Sequence, residues 1–351
     1  MKLKFILKIG IFVVLLLVVF VVLLSLIFNF SSLINKPVEP TPTVIPSSTP
    51  VPSSTVTPSP FPTVDPKTKE VKLLFVGDTM LARSIGDRIV TGEDPFVNVE
   101  VKFKEYDYVI ANLETNISTN GNQNPNKLYT FNAPVESIDV LKNAGIKIVS
   151  LANNHVMDFG PSGLSNQLNL LNSKGIKFFG AGNSSKEAFI PLIVELPNKT
   201  KLGLIGVNNI ETWFTNVGES TPGVANMDID KVTASIQDAR NQGASIVIIM
   251  PHWGYEYETN FAGDQQEWGR QFLDAGADLV IGNHPHVRQG VEVYKGKQIY
   301  YALGNFVFDV MDTYETSHGY MVEVEIVEGR IEKTSQIPIR LNEIGYPELD
   351  N

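Results

Sequence analysis

Five short, mostly apolar runs recur along the chain at residues 71–76, 108–113, 146–151, 245–250 and 279–281, and each ends in a polar cluster. Runs this short and this rich in Val, Ile and Leu predict strands buried on both faces. Between them, residues 134–144, 161–174, 229–242 and 264–276 repeat apolar positions at helical spacing. Pro134 and Pro161 sit where a first helical turn begins, and Gly145 and Gly175 sit where two of these helices would be capped. Further along, Pro197-Asn198-Lys199-Thr200, Lys295-Gly296-Lys297 and Glu328-Gly329-Arg330 read as hairpin turns between strands. Alternating strands and helices followed by antiparallel strands predict one α/β domain over residues 70–340, with two sheets in the core and helices outside. Residues 341–351 read as a C-terminal tail.

The amino-terminal pattern is different. Residues 9–28 form 20 consecutive positions without a charge. At about 1.5 Å per residue they reach about 30 Å, the thickness of a bilayer core. Lys2, Lys4 and Lys8 precede the run, which predicts a cytoplasmic tail at residues 1–8, a transmembrane helix at 9–28 and everything later outside the cell. A cleaved signal peptide is the rival reading. The run is longer than the usual apolar region of about 7–15 residues, and Phe28-Asn29-Phe30 matches a cleavage site poorly. Residues 29–69 form a Pro/Ser/Thr-rich linker, and residues 37–66 hold ten of the chain's 21 prolines. No packed core is expected from such a composition, which predicts a disordered stalk that would lift the domain off the membrane.

Composition then narrows the chemistry. The chain has 351 residues and no cysteine, which excludes disulfides, thiolate metal sites and cysteine nucleophiles. Its 28 basic and 38 acidic residues give a net charge of −10, which argues against nucleic acid as a partner. The polar clusters at the five strand ends are Gly77-Asp78, Asn112-Leu113-Glu114, Asn153-Asn154-His155, His252 and His284-Pro285-His286. Sites in α/β sheets gather beyond the carboxyl ends of strands, where the loops converge. Each cluster alone has a plain explanation, as a helix cap, a turn or a packed ring. Yet four of the five histidines fall at these ends. Carboxylates, an Asn carbonyl and imidazoles are ligands for one or two divalent ions, with Mn, Fe and Zn all suitable, and a two-metal site activates water for hydrolysis.

The ordered series Val76-Gly77-Asp78-Thr79-Met80, Asn112-Leu113-Glu114, Leu151-Ala152-Asn153-Asn154-His155 with Asp158 and Gly160, Pro251-His252-Trp253-Gly254, Gly282-Asn283-His284-Pro285-His286 and Leu303-Gly304-Asn305-Phe306 resembles the CapA (PgsA) family of capsule, or poly-gamma-glutamate, synthesis proteins. That family is similar in fold to calcineurin-like metallophosphoesterases, which implies a four-layer αββα sandwich. The resemblance implies roles as well. Asp78 and His286 would bind a first metal, Asn154, His252 and His284 a second, and Glu114 would bridge them. His155 would donate a proton to the leaving group, oriented by Asp158. Arg83 and Asn153 would contact substrate. Met80 stands where such enzymes carry a metal-binding His, and a thioether is a poor ligand for a hard ion.

Together these features predict a membrane-anchored, extracellular component of capsule or poly-gamma-glutamate synthesis and export, with a metal-dependent, hydrolase-like site. Its expected partners are an anionic polymer or phosphoester substrate, the membrane, and membrane proteins of a capsule synthase complex. The competing class is a non-catalytic scaffold that keeps the old site for structure.

Overall fold

The structure, a computed structural model, describes residues 70–309 and 312–350. The expected cytoplasmic tail, transmembrane helix and stalk lie outside the described residues. Among the described residues no helix is long and apolar enough to cross a membrane.

The domain is a mixed α/β fold with two large sheets. In the first sheet, β1 (Val71–Thr79), β2 (Tyr108–Leu113), β3 (Ile146–Ser150) and β4 (Lys177–Phe179) run parallel. In the second, β5 (Leu192–Glu195) pairs antiparallel with β6 (Lys201–Asn208), which is followed by parallel β7 (Ile246–His252) and β8 (Leu279–Ile281). The hairpin β9 (Val291–Tyr294) and β10 (Lys297–Tyr300) completes that sheet. The chain then returns to the first sheet. Short β11 (Asn305–Val307) runs parallel to the end of β1, and β12 (His318–Val327) pairs antiparallel along it. β13 (Arg330–Leu341) and β14 (Pro347–Leu349) extend the same edge. The stretch expected as a C-terminal tail therefore supplies an edge strand, because Arg340 and Glu348 pair across the ladder and Tyr346 is buried beneath it.

Three apolar clusters define the layers. One lies between the sheets, where Leu73, Phe75 and Ile110 of the first face Leu204, Ile248 and Leu279 of the second. A second lies outside the first sheet under α1 (Arg83–Val90), α2 (Glu136–Asn143) and α3 (Gly160–Lys174). The third lies outside the second sheet under α4 (Ile229–Asn241) and α5 (Gly263–Asp274). The order is helices, sheet, sheet, helices, and it explains the continuous apolar runs, since strands covered on both faces need no polar positions.

The local signals act where the sequence placed them. Pro161 occupies the start of α3 and Gly175 its left-handed cap, at φ 75°. All three predicted hairpin turns form, with Lys199, Lys295 and Glu328 at positive φ. Two strands exceed their apolar runs: β1 continues to Thr79, and β7 continues through Pro251 to His252, where Pro251 still accepts a backbone bond from Asn283. The second extension carries His252 to the carboxyl end of the sheet.

Candidate metal centre

The five polar clusters meet at one end of the sheet pair. Asp78 lies at the end of β1 and Glu114 follows the adjacent parallel β2, and Asn153, Asn154 and His155 follow β3. His252 ends β7, and His284 and His286 follow β8. Asn112, at the end of β2, joins the two sheets: its amide donates to Asp78 Oδ1 at 2.8 Å and lies 3.3 Å from His252 Nδ1. The close approach of the strands is enforced by Gly77, where any Cβ would fall 2.0 Å from the Gly304 carbonyl oxygen.

Glu114 occupies the centre. It is fully buried, and neither carboxylate oxygen has a hydrogen-bond partner. Around its Oε1 stand His252 Nε2 at 3.4 Å, His286 Nε2 at 3.9 Å and His155 Nε2 at 4.0 Å. His284 Nδ1 is likewise buried without a partner. Burial, reinforced by the charge of Asp78, pushes the Glu114 carboxyl well above its usual range. Burial pushes His284 well below its own and His252 down to about 3. A buried carboxylate and a buried imidazole nitrogen left unpaired cost several kcal/mol unless something else satisfies them.

A cation meets that need. Two groups of side chains bring ligand atoms within 4.8 Å of one another: Glu114 with His284 and His286, and Asp78 with Glu114 and His252. Glu114 belongs to both, the place of a bridging ligand. The Asn154 side-chain oxygen Oδ1 lies 2.9 Å from His252 Nε2. His286 Nδ1 lies 3.3 Å from Asp78 Oδ2 and 3.0 Å from Asn305 Oδ1. Burial lowers the His286 pKa, but the bond and charge of Asp78 outweigh it and hold the ring above its usual range. His284 and His286 adopt φ 104° and 60°, strained values for residues other than Gly. The His284 amide reaches both oxygens of Asp78 at 3.3 Å, which helps hold the loop in that conformation. The donor set fits a divalent ion.

His155 stands beside this set. Its Nδ1 is 2.7 Å from Asp158 Oδ2, and its ring stacks on Phe131 with centroids 3.9 Å apart. Burial lowers its pKa against the opposing pull of Asp158, so the neutral ring donates Nδ1–H to Asp158 and turns Nε2 toward Glu114. Asp158 also accepts from the Phe131 amide and from Lys127.

Two expected substrate contacts are placed otherwise. Asn153 is fully buried, and its amide is committed to Asn112, the Leu113 carbonyl and the backbone of His155 and Val156. It shapes the loop rather than facing the cleft. Arg83 does line the cleft of about 310 Å³ above His155 and His286, but its guanidinium is already held by Asp309 and lies over Phe131. Met80 is buried in the core under the helices, with its sulfur accepting the Ala82 amide, and it faces away from the cluster.

Sequence reasoning passed over several residues. Asn112 and Asn305 sit inside the motifs that flagged the site, and their side-chain amides were the available signal. Lys127 and Glu211 gave none. They lie in loops without periodicity, yet Lys127 Nζ binds Asp158 at 2.6 Å, Glu211 at 2.7 Å and the Asn154 carbonyl at 3.0 Å.

The family described as "Bacterial capsule synthesis protein PGA_cap" matches residues 72–310, a stretch that holds every ligand candidate named above. The "PGA biosynthesis protein CapA" of Bacillus subtilis (strain 168) is 34% identical over 239 residues, which cover 67% of this chain and 62% of that protein. The shared stretch thus spans less than two thirds of that relative. The "Capsule biosynthesis protein CapA" of Bacillus anthracis is 28% identical over 294 residues, covering 82% of this chain and 71% of that one. Among solved structures, the NAD nucleotidase of Haemophilus influenzae superposes with a TM-score of 0.45 at 12% identity, over 81% of this chain and 54% of that one.

Proposed function

The chain belongs to the bacterial capsule synthesis protein family, and we propose that it serves capsule or poly-gamma-glutamate synthesis and export as a membrane-anchored, extracellular, metal-dependent hydrolase of the metallophosphoesterase type. The observation that carries the proposal is the buried Glu114 carboxylate, unpartnered at both oxygens and shared by two groups of ligand candidates. When bound, a divalent ion supplies Lewis acidity and a water activated for attack on a phosphoester or amide.

The chain's own residues do the rest. Asp78, Glu114, Asn154, His252, His284 and His286 bind and position the ions. Asp158 fixes the His155 ring through Nδ1 and leaves Nε2 facing the cleft. An anionic oxygen arriving there favours the protonated ring, whose Nε2–H can then pass to the leaving group. The anchor at residues 9–28 and the stalk at 29–69 would hold this domain outside the membrane, within reach of partner membrane proteins. A second reading, a polymer-binding or protein-binding scaffold, draws on Met80: the side chain in the ligand position is packed into the core, so the first ion has fewer ligands.

His155→Ala against His284→Ala separates the two. In the hydrolase, His155→Ala leaves metal content intact and lowers activity by about 10²–10⁴, with polymer yield falling in cells, while His284→Ala loses metal as well. Normal polymer yield from stably expressed His155→Ala protein would reject the catalytic reading.

A further inference from the structure

We propose that the cleft takes a substrate bearing an ammonium or other cationic group next to the bond it offers to the metal centre, and that it rejects polyanions. The inference rests on the metal reading above and names the class of substrate for that site.

Two cationic side chains line the cleft, Arg83 and Lys127. Both are already paired with carboxylates of the protein. Arg83 uses Nε and Nη2 on Asp309. Lys127 is almost fully buried and shares its ammonium among Asp158, Glu211 and the Asn154 carbonyl. Neither is a free anion hook. Glu256 and Asp312 line the same cleft, both are exposed, and neither makes an ion pair among the described residues. The wall above the metal ligands therefore carries an excess of carboxylate.

The metal centre itself can hold one anionic or carbonyl group. A second negative charge on the ligand, one residue or one ester group further out, meets Glu256 and Asp312 and is repelled. An ammonium at that distance is attracted. The cleft offers it more than charge, since Tyr129 and Tyr257 line it and are 63% and 56% exposed. Tyrosine faces beside carboxylates favour cations. By this reasoning the acidic polymer implied by the family's name is not threaded through the cleft. The reacting group belongs to an amine-bearing phosphoester or acyl compound.

The test uses the purified full-length chain loaded with Mn²⁺ and two ligands of equal length, phosphoethanolamine and phosphoglycolate, with inorganic phosphate as reference. Calorimetry should find phosphoethanolamine tighter by about tenfold, the sum of one weak attraction and one weak repulsion at exposed carboxylates. A Glu256→Gln, Asp312→Asn double variant, which changes none of the metal-ligand candidates, should bring the ratio to about one while phosphate still binds. Equal affinities in the wild-type protein, or a preference for phosphoglycolate, with phosphate binding intact, would overturn this inference alone. No Mn²⁺ uptake and no phosphate binding would overturn the metal reading and this inference with it.

Discussion

Glu114 and Asp278 are carboxylates at opposite strand ends, and the sheet pair treats them in opposite ways. Asp278 precedes β8 and receives Arg240 at 2.7 Å, Lys297 at 3.2 Å and the Val247 amide at 2.8 Å. It remains a quarter exposed, so water helps as well. Glu114 follows β2, is fully buried, and has no hydrogen-bond donor at either oxygen. Both ends of the fold had cations to offer, and Lys127 stands close by the cleft. It is tied to Asp158 and Glu211 instead. A carboxylate left unpaired at such cost marks a place kept for a partner from outside the chain, whereas a carboxylate saturated from three directions is part of the frame.

The strongest way to break that contrast is Glu114→Gln, which keeps the shape and removes the charge. Both groups of ligand candidates lose their shared member, so metal content measured by elemental analysis should fall to near zero. The metal-free protein should melt at the same temperature as the wild type or higher, because a buried carboxyl group with no partner, costly to bury in either protonation state, has been removed. A metal-free Glu114→Gln protein that is markedly less stable would show that Glu114 belongs to the frame after all.

Proton release sharpens the same contrast. Glu114 and His286 both have raised pKa values, by burial in one case and, against burial, by Asp78 in the other. Each therefore holds a proton in the metal-free protein at pH values where an ordinary Glu or His has lost it. The pKa values of His252 and His284 are depressed by burial, so these ligand candidates are already neutral. Metal uptake must displace the first two protons, so affinity rises with pH until both raised values are passed and weakens as pH falls. The slope should be about tenfold per pH unit for each proton displaced. Calorimetry in buffers of different ionisation enthalpy would count the protons. A pH-independent affinity would contradict the assignment of Glu114 and His286 as ligands.

The frame was more legible in the sequence than the cleft. The strands Tyr108–Leu113 and Leu279–Ile281 have the bounds their apolar runs gave, because burial on both faces leaves an uninterrupted signature. The ligand candidates were picked out for a related reason: polar residues that interrupt such runs at strand ends have few structural duties. Helix Arg83–Val90 was missed, since eight residues with four charged or hydroxyl side chains carry little periodicity. Met80 was read as a lost ligand, and its sulfur on the Ala82 amide shows the side chain turned into the core instead. The charge pairing of the cleft was not legible at all. Lys127 meets Asp158 and Glu211 across 31 and 84 positions of sequence, and no local pattern encodes that meeting. The pairing of Arg83, an expected substrate contact, was hidden for the same reason, its partner Asp309 lying 226 positions away.

The smallest effect belongs to the other member of the pair. Asp278→Asn keeps an oxygen that can accept the Val247 amide but removes the charge that Arg240 and Lys297 approach. Those two cations are about a third exposed, so each pair is screened and contributes at most about 1 kcal/mol. Arg240 also keeps its bonds to the Ala244 and Gly276 carbonyls, and Lys297 its bond to the Ala277 carbonyl, so neither is stranded. The net loss should be about 1 kcal/mol, a fall of roughly 2 °C in melting temperature for a domain of this size. Metal content should be unchanged. If Asp278→Asn lowered metal content as Glu114→Gln does, the two ends of the sheets would not be independent, and the division between frame and site would fail.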